Sequence, residues 1–169
     1  GGGIVVLGAH GDLDGDGDLD AFIANCWGQA NRVWLNNGSA IFGVTPQSLG
    51  DSYSGAVALG DLDGDGDLDA FVGNIDTGFG PDGSPNRIWL NDGTGVFSYS
   101  GQSLGMSDTK AVALGDLEGD GALDAFVANA GDRNVPPGQP NRIWLNDGAG
   151  HFTDSGQTLG NSYSGAVGL

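Results

Sequence analysis

Apolar residues along this chain fall in short runs, each closed by Gly, Asn, Asp or Pro, and helical periodicity is absent. The stretch 53–107 shows the pattern: "AVALG" (56–60) alternates small and large residues, and "DAFVGN" (69–74), "NRIWLN" (86–91) and "VFSYSG" (96–101) follow it. Glycine punctuates too often for long helices, and the bounding residues are turn formers. Four short strands are therefore predicted for this stretch.

The same pattern recurs. "NRVWLNNG" at 31–38 returns as "NRIWLNDG" at 86–93 and 141–148. Acidic phrases beginning at Asp12, Asp61 and Asp116 precede these copies. The first unit is shorter, because "CWGQA" (26–30) stands where the others have "IDTGFGPDGSP" (75–85) and "AGDRNVPPGQP" (130–140). Four strands per unit of about 50 residues is the signature of a propeller blade. A sandwich has no need of a fixed period. The fold class is all-β, with repeat units at about 1–52, 53–107 and 108–162. "GIVVLGAHG" (3–11) is a first-strand candidate, and "SGAVGL" (164–169) copies "SGAVAL" (54–59), so residues 163–169 are expected to open a further blade. Three blades and a strand fall short of a closed ring of about four to eight blades. The reading implies completion by oligomerisation or by a longer chain, since open blade faces and strand edges are otherwise exposed.

"GDLDGDGDLDA" at 11–21 and 60–70, with "GDLEGDGALDA" at 115–125, raises the question of chemistry. Like charges this close repel, and something must neutralise them. In the first loop Asp12, Asp14, Asp16, Asp18 and Asp20 occupy positions 1, 3, 5, 7 and 9. Asp61, Asp63, Asp65, Asp67 and Asp69 match them in the second, and Asp116, Glu118, Asp120, Ala122 and Asp124 in the third. Glycines at positions 4 and 6 permit positive φ, so that carboxylates at 1, 3 and 5 wrap onto one point. A dense set of oxygen ligands suits a hard cation, and Ca²⁺ accepts six to eight of them. Zinc would want His or Cys. An EF-hand would close with a bidentate Glu at position 12 between helices. That position holds Ile23, Val72 and Val127 instead, and the closing acid at position 9 leads into a strand. Ala122 at position 7 fits a backbone carbonyl ligand there. The expectation is about three calcium ions, one per loop.

Composition sharpens this reading. Of 22 acidic residues in the 169, 14 lie in the three phrases, against 5 basic residues in all, for a net charge of −17. Three divalent ions would bring it to about −11. Nucleic acid is excluded as a partner, because phosphate binding needs a basic face. A content of 38% apolar residues separates the chain from a disordered acidic tail. Cys26 aligns with Ile75 and Ala130 and reads as a small apolar filler. No apolar run approaches the ~20 residues of a membrane span. No signal-peptide pattern opens the chain.

The succession of strand, D-x-D-G-D-G-x-x-D, strand and "NRIWLNDGTGVF" resembles the FG-GAP/VCBS repeats of integrin-α-like propellers, over essentially the whole chain. "YSGAV" (53–57 and 163–167) stands in place of the letters that name the family, which favours the VCBS-type variants. The resemblance implies calcium held in the loop joining the first two strands, by Asp12, Asp14, Asp16, Asp18 and Asp20 and their counterparts. Glu118 departs from the pattern, and its extra methylene crowds the ion.

Other residues are weaker candidates. His151 aligns with Ile41 and Val96, a strand position, and no nucleophile–His phrase recurs with it or His10, so no catalytic site and no enzyme is expected. Arg32, Arg87 and Arg142 recur in every unit and are expected to pair with a nearby acid; Trp34, Trp89 and Trp144 are expected to pack between blades. Ligand-binding candidates are residues that break the repeat: Trp27, Phe79, Asp82, Asp132 and Arg133 between second and third strands, and Tyr53, Lys110 and Tyr163 between units. Both loop sets should share the face opposite the acidic loops. The expected function is an extracellular or cell-surface recognition or adhesion module with structural calcium, its partner a protein or glycan. A carbohydrate-binding lectin and a non-catalytic part of a polysaccharide-degrading enzyme are the rival readings.

Overall fold

A computed structural model describes residues 7–75, 84–130, 138–160 and 163–169, and among these there is no helix. The first four strands are β1 (Leu7–Gly11), β2 (Asp20–Ala24), β3 (Arg32–Asn36) and β4 (Phe42–Val44). The next four are β5 (Ser54–Gly60), β6 (Asp69–Asn74), β7 (Arg87–Asn91) and β8 (Phe97–Tyr99). The last are β9 (Thr109–Gly115), β10 (Asp124–Asn129), β11 (Arg142–Asn146) and β12 (Phe152–Asp154). They form three four-stranded antiparallel meanders in chain order, which are consecutive blades of a β-propeller. β5 lies beside both β1 and β9, so the first strand of each blade is the inner one. The outer strands are shorter than the apolar run predicts: Gly101, at φ 87°, turns the chain away soon after β8 ends at Tyr99. Residues 163–169 carry no strand. Ser164 N–H donates to the Asn129 carbonyl at 3.2 Å, as Ser54 does to Asn25 at 3.0 Å.

The blades meet face to face through two apolar seams. Leu13, Phe22, Val33 and Leu49 of blade one pack against Trp89 and Phe97 of blade two. Leu62, Phe71, Ile88 and Leu104 repeat the arrangement against Trp144 and Phe152. An edge-to-face ring pair centres each seam: Phe22–Phe97 at 5.3 Å and Phe71–Phe152 at 5.5 Å. A glutamine clasps each. Gln47 Nε2 donates to the Gly95 carbonyl at 2.7 Å while its Oε1 accepts from Phe97 N–H at 2.7 Å, and Gln102 does the same with Gly150 and Phe152.

The tryptophans pack as expected at two of three positions. Trp89 lies over Gly50 and Trp144 over Gly105, where an added Cβ would stand 3.3 and 3.2 Å from the indole. Trp34 is 37% exposed, with no glycine of another described blade over its indole. The arginines diverge from expectation. Among the described residues, Arg142 alone of the three meets an acid, Asp154, at 3.5 Å. Arg32 donates to the Gln47 carbonyl at 2.6 Å, and Arg87 lies 4.9 Å from the centre of the Tyr99 ring. The outer-strand residue paired with the neighbouring tryptophan is Val44, Tyr99 or Asp154, and only the last two offer the arginine a ring or a carboxylate.

Candidate metal centre

Each acidic phrase forms the turn between the first and second strands of its blade. Its coil is set by its own carboxylates. Asp12 accepts from Gly15 N–H through Oδ1 at 2.8 Å and from Gly17 N–H through Oδ2 at 3.0 Å. Asp61 and Asp116 repeat this with Gly64 and Gly66, and with Gly119 and Gly121. The glycine at position 6 sits at φ 89°, 95° and 95° in the three loops, where a Cβ is penalised.

The closing acid at position 9 holds the loop to the sheet. Asp69, wholly buried, accepts from Leu62 N–H and Asn91 N–H, both at 2.8 Å. Asp20 and Asp124 make the same two bonds, with Leu13 and Asn36 and with Leu117 and Asn146. The start of the loop, the second strand and the end of the third are thereby pinned to one carboxylate. The asparagine in this arrangement escaped the sequence reading. Its signal was present, since the residue closes every "NR-x-WLN" phrase. The clasping glutamine was equally visible, as "QSLG", "QSLG" and "QTLG" at 47, 102 and 157.

Crowded carboxylates leave an electrostatic mark. Burial raises the Asp14 carboxyl above its ordinary value, with Asp20 and Asp16 adding repulsion. Burial followed by Asp65 raises Asp63. Burial pushes Asp69 up to about 6 against two opposing backbone hydrogen bonds, with Asp63 and Asp65 contributing further. Glu118 is raised too, by desolvation first and then by Asp120 and Asp124. A cation among these groups would reverse the effect.

Calcium fits the donors present. Asp12, Asp14 and Asp20 bring one carboxylate oxygen each within 4.8 Å of one another, as do Asp61, Asp63 and Asp65. All are hard oxygens. Each carboxylate oxygen used in a backbone hydrogen bond keeps a further acceptor site. At position 7 the side chains turn elsewhere. Cβ atoms added at Gly38 and Gly93 would collide with the Asp18 and Asp67 carboxylates, which leaves the backbone carbonyl as that position's donor. Beside each loop, Oδ1 of Asn36, Asn91 and Asn146 is buried with no donor, an acceptor that a cation or ordered water would satisfy.

The third loop differs. Among the described residues it forms no comparable carboxylate group. Loops one and two are backed by the next blade: Gly64 approaches the Gly148 carbonyl, and Gly150 approaches Asp63 and Leu90. At Gly119 an added Cβ would meet nothing within 4 Å.

The ligand candidates are brought together only in part. Trp27, 65% exposed and held at φ 66°, lies with its ring 6.2 Å from that of Tyr53, joining the two predicted loop sets on one face. Lys110 is engaged by Asp108 at 2.7 Å. It replaces Gly55 at a bulge in the inner strand. A Cβ at Gly55 would collide with Ile75, whereas Ala130 occupies the matching place beside Lys110. Tyr163 is 44% exposed. Phe79, Asp82, Asp132 and Arg133 lie outside the described residues.

A cleft of about 260 Å³ opens at the second seam, lined by Asn86, Met106, Asn129, Arg142, Trp144 and Asp154 among others. At the first seam Tyr99 stands where Asp154 does, spread over Arg87 and 5.6 Å from Trp89. The shorter Asp154 leaves that space open.

Residues 12–72 match the family model described as an FG-GAP-like repeat. The chain matches no curated protein. A solved lectin from Agrocybe aegerita, described for specific recognition of non-reducing terminal N-acetylglucosamine, is similar in structure. The likeness has a TM-score of 0.55 at 24% identity and covers 94% of this chain. The chain spans 39% of the length of that lectin.

Proposed function

From an FG-GAP-like repeat at residues 12–72, set in consecutive propeller blades, we propose a non-enzymatic recognition module, extracellular or at a cell surface, whose three acidic loops hold structural calcium. The observation that carries this reading is the shared loop geometry: a coil built on Asp12, Asp61 or Asp116, closed by a buried Asp pinned to two backbone amides. Such loops fill at the calcium levels found outside cells. Asp12, Asp14, Asp16 and Asp20 and their counterparts are the ligands, with the position-7 carbonyl. The ions stiffen one face and leave the opposite face, with Trp27 and Tyr53, for a protein or adhesion partner. Native mass spectrometry after calcium dialysis tests the loading: up to three ions support it, and a calcium-free mass contradicts it.

A second reading, glycan recognition, is favoured by the cleft at the second seam. Its size suits a sugar ring, and Arg142, Asp154 and two asparagines offer hydrogen bonds beside Trp144. A glycan array probed with the wild type, Asp154→Ala and Trp27→Ala separates the alternatives. Glycan binding lost in Asp154→Ala alone supports the cleft, and loss in Trp27→Ala alone moves the site to the Trp27–Tyr53 pair. No glycan binding at all returns the partner to protein.

A further inference from the structure

Loops one and two are each tied to the following blade as well as to their own. Asn91, buried at the end of β7, donates its backbone N–H to Asp69 Oδ1 of loop two at 2.8 Å. Its side-chain Nδ2 crosses the seam and donates to the Leu13 carbonyl of loop one at 2.9 Å, and it also reaches the Leu68 carbonyl of loop two at 3.3 Å. Leu13 stands between Asp12 and Asp14, and its own N–H donates to Asp20 Oδ2 at 2.9 Å. Two residues, Leu13 and Asn91, thus join the closing carboxylates of loops one and two. Asn146 repeats the link. Its N–H donates to Asp124 at 2.9 Å and its Nδ2 to the Leu62 carbonyl at 2.8 Å, while Leu62 N–H donates to Asp69. One buried relay therefore runs from Asp20 through Asp69 to Asp124.

The turn after each asparagine touches the same two loops. A Cβ added at Gly93 would collide with the Asp67 carboxylate of loop two. On the other side, a Cβ at Gly15 would stand 3.6 Å from the Gly93 carbonyl, and one at Gly95 would stand 3.7 Å from Asp14 Cβ in loop one. The turn after Asn146 is placed alike. A Cβ at Gly148 would lie 3.8 Å from Ala122 of loop three, and one at Gly150 would lie 3.4 Å from Asp63 Cβ of loop two.

Resting on the calcium reading above, we propose that successive loops fill cooperatively, with Asn91 coupling loops one and two and Asn146 coupling loops two and three. With loop two filled, Asp69 and the turn after Asn91 are held in place. Loop one shares that turn and the Asn91 side chain, so less ordering remains to be done when it fills in its turn. Charge alone works the other way, because a filled loop attracts the next cation less. That opposition is screened beyond about 8 Å at physiological salt, whereas the contacts are direct. Asn91 and Asn146 are positioning residues in this scheme.

The test is a calcium titration of the whole chain followed by NMR. The amides of Gly17 and Gly66 report loops one and two separately, since Asp12 and Asp61 hold them at 3.0 and 3.1 Å. Asp63→Asn/Asp65→Asn disables loop two, and each new amide keeps an oxygen for the Asp65 and Asp67 N–H groups. The charge beside loop one is unchanged: five carboxylates with one divalent ion, or three without it, leave −3 in either case. The Gly17 midpoint should rise at least ~5-fold in this variant. By linkage, Asp14→Asn/Asp16→Asn should raise the Gly66 midpoint by a similar factor, a measurement that leaves Asn91 in place. In an Asn91→Ala background, with circular dichroism confirming that the strands persist, disabling loop two should move Gly17 by less than about twofold. Midpoints indifferent to the neighbouring loop overturn the proposal and leave calcium binding standing. Coupling undiminished by Asn91→Ala overturns it as well. Gly17 and Gly66 signals unmoved by calcium overturn both the coupling and the calcium reading beneath it.

Discussion

Replacing Asp69 by Asn keeps the shape of the buried carboxylate and removes its charge, so it separates the two roles of position 9. In the wild type both oxygens accept backbone N–H groups at 2.8 Å, from Leu62 and Asn91. An amide can accept from only one of them, which leaves one buried donor unpaired at a cost of about 1–3 kcal/mol. Against this, without calcium, a carboxyl raised from 3.8 to about 6 disfavours the charged fold above pH 6. That penalty is at most roughly 3 kcal/mol. The two effects nearly cancel in chelator at pH 7.5. With ~1 mM calcium and a site constant near 10⁻⁴ M, the wild type gains about 1.4 kcal/mol from loop two that the variant forgoes. The sign with pH follows from the raised value: the folded chelated protein binds more protons than the unfolded chain between about pH 4 and 6. Acidification therefore stabilises the wild type, and the effect fades as pH rises through 6. Urea unfolding in chelator should show the wild type gaining about 1 kcal/mol on the variant between pH 7.5 and 5.0. A gap that is unchanged by both pH and calcium would refute the reasoning.

Loop three should bind calcium most weakly, by about tenfold, since it has Glu118 and lacks an acid at Ala122. Calorimetric titration checks this: Glu118→Asp should tighten that site, and three equal sites would contradict it. Gly55→Ala should cost about 2–3 kcal/mol, because its Cβ would collide with Ile75 and stand 2.8 Å from the Thr109 carbonyl. Adding Ile75→Ala should recover part of that loss in urea unfolding, as Ala130 beside Lys110 indicates. Trp27→Asn should raise the melting temperature by a few degrees, since φ 66° strains a Trp and suits an Asn.

Strands and loops were legible because one unit is written three times. Alternation in "AVALG" and the apolar run in "DAFVGN" mark the strands, and the glycines at positions 4 and 6 announce the coil between them. What sequence could not resolve is where a repeated residue loses its repeated neighbour. Trp34 and Trp89 share a phrase, yet one is 37% exposed and the other 8%, because burial belongs to the adjoining blade. Arg32, Arg87 and Arg142 likewise share a phrase, but Gln47, Tyr99 and Asp154 give them three different partners. The position-9 acid reads as a ligand in sequence. Its second task, holding Leu62 and Asn91 amides 22 or fewer residues away, depends on strand register that no local pattern states.

The central claim is that calcium in these loops holds the blades together, and thermal melting with and without the ion tests it most directly. Two sites near 10⁻⁴ M and a third about tenfold weaker should together contribute about 3 kcal/mol in ~1 mM calcium. For a chain of this size that is a rise on the order of 10 °C over the chelated protein. The account predicts that rise, with magnesium at the same concentration giving much less. Superimposable melts in calcium and in chelator would contradict it.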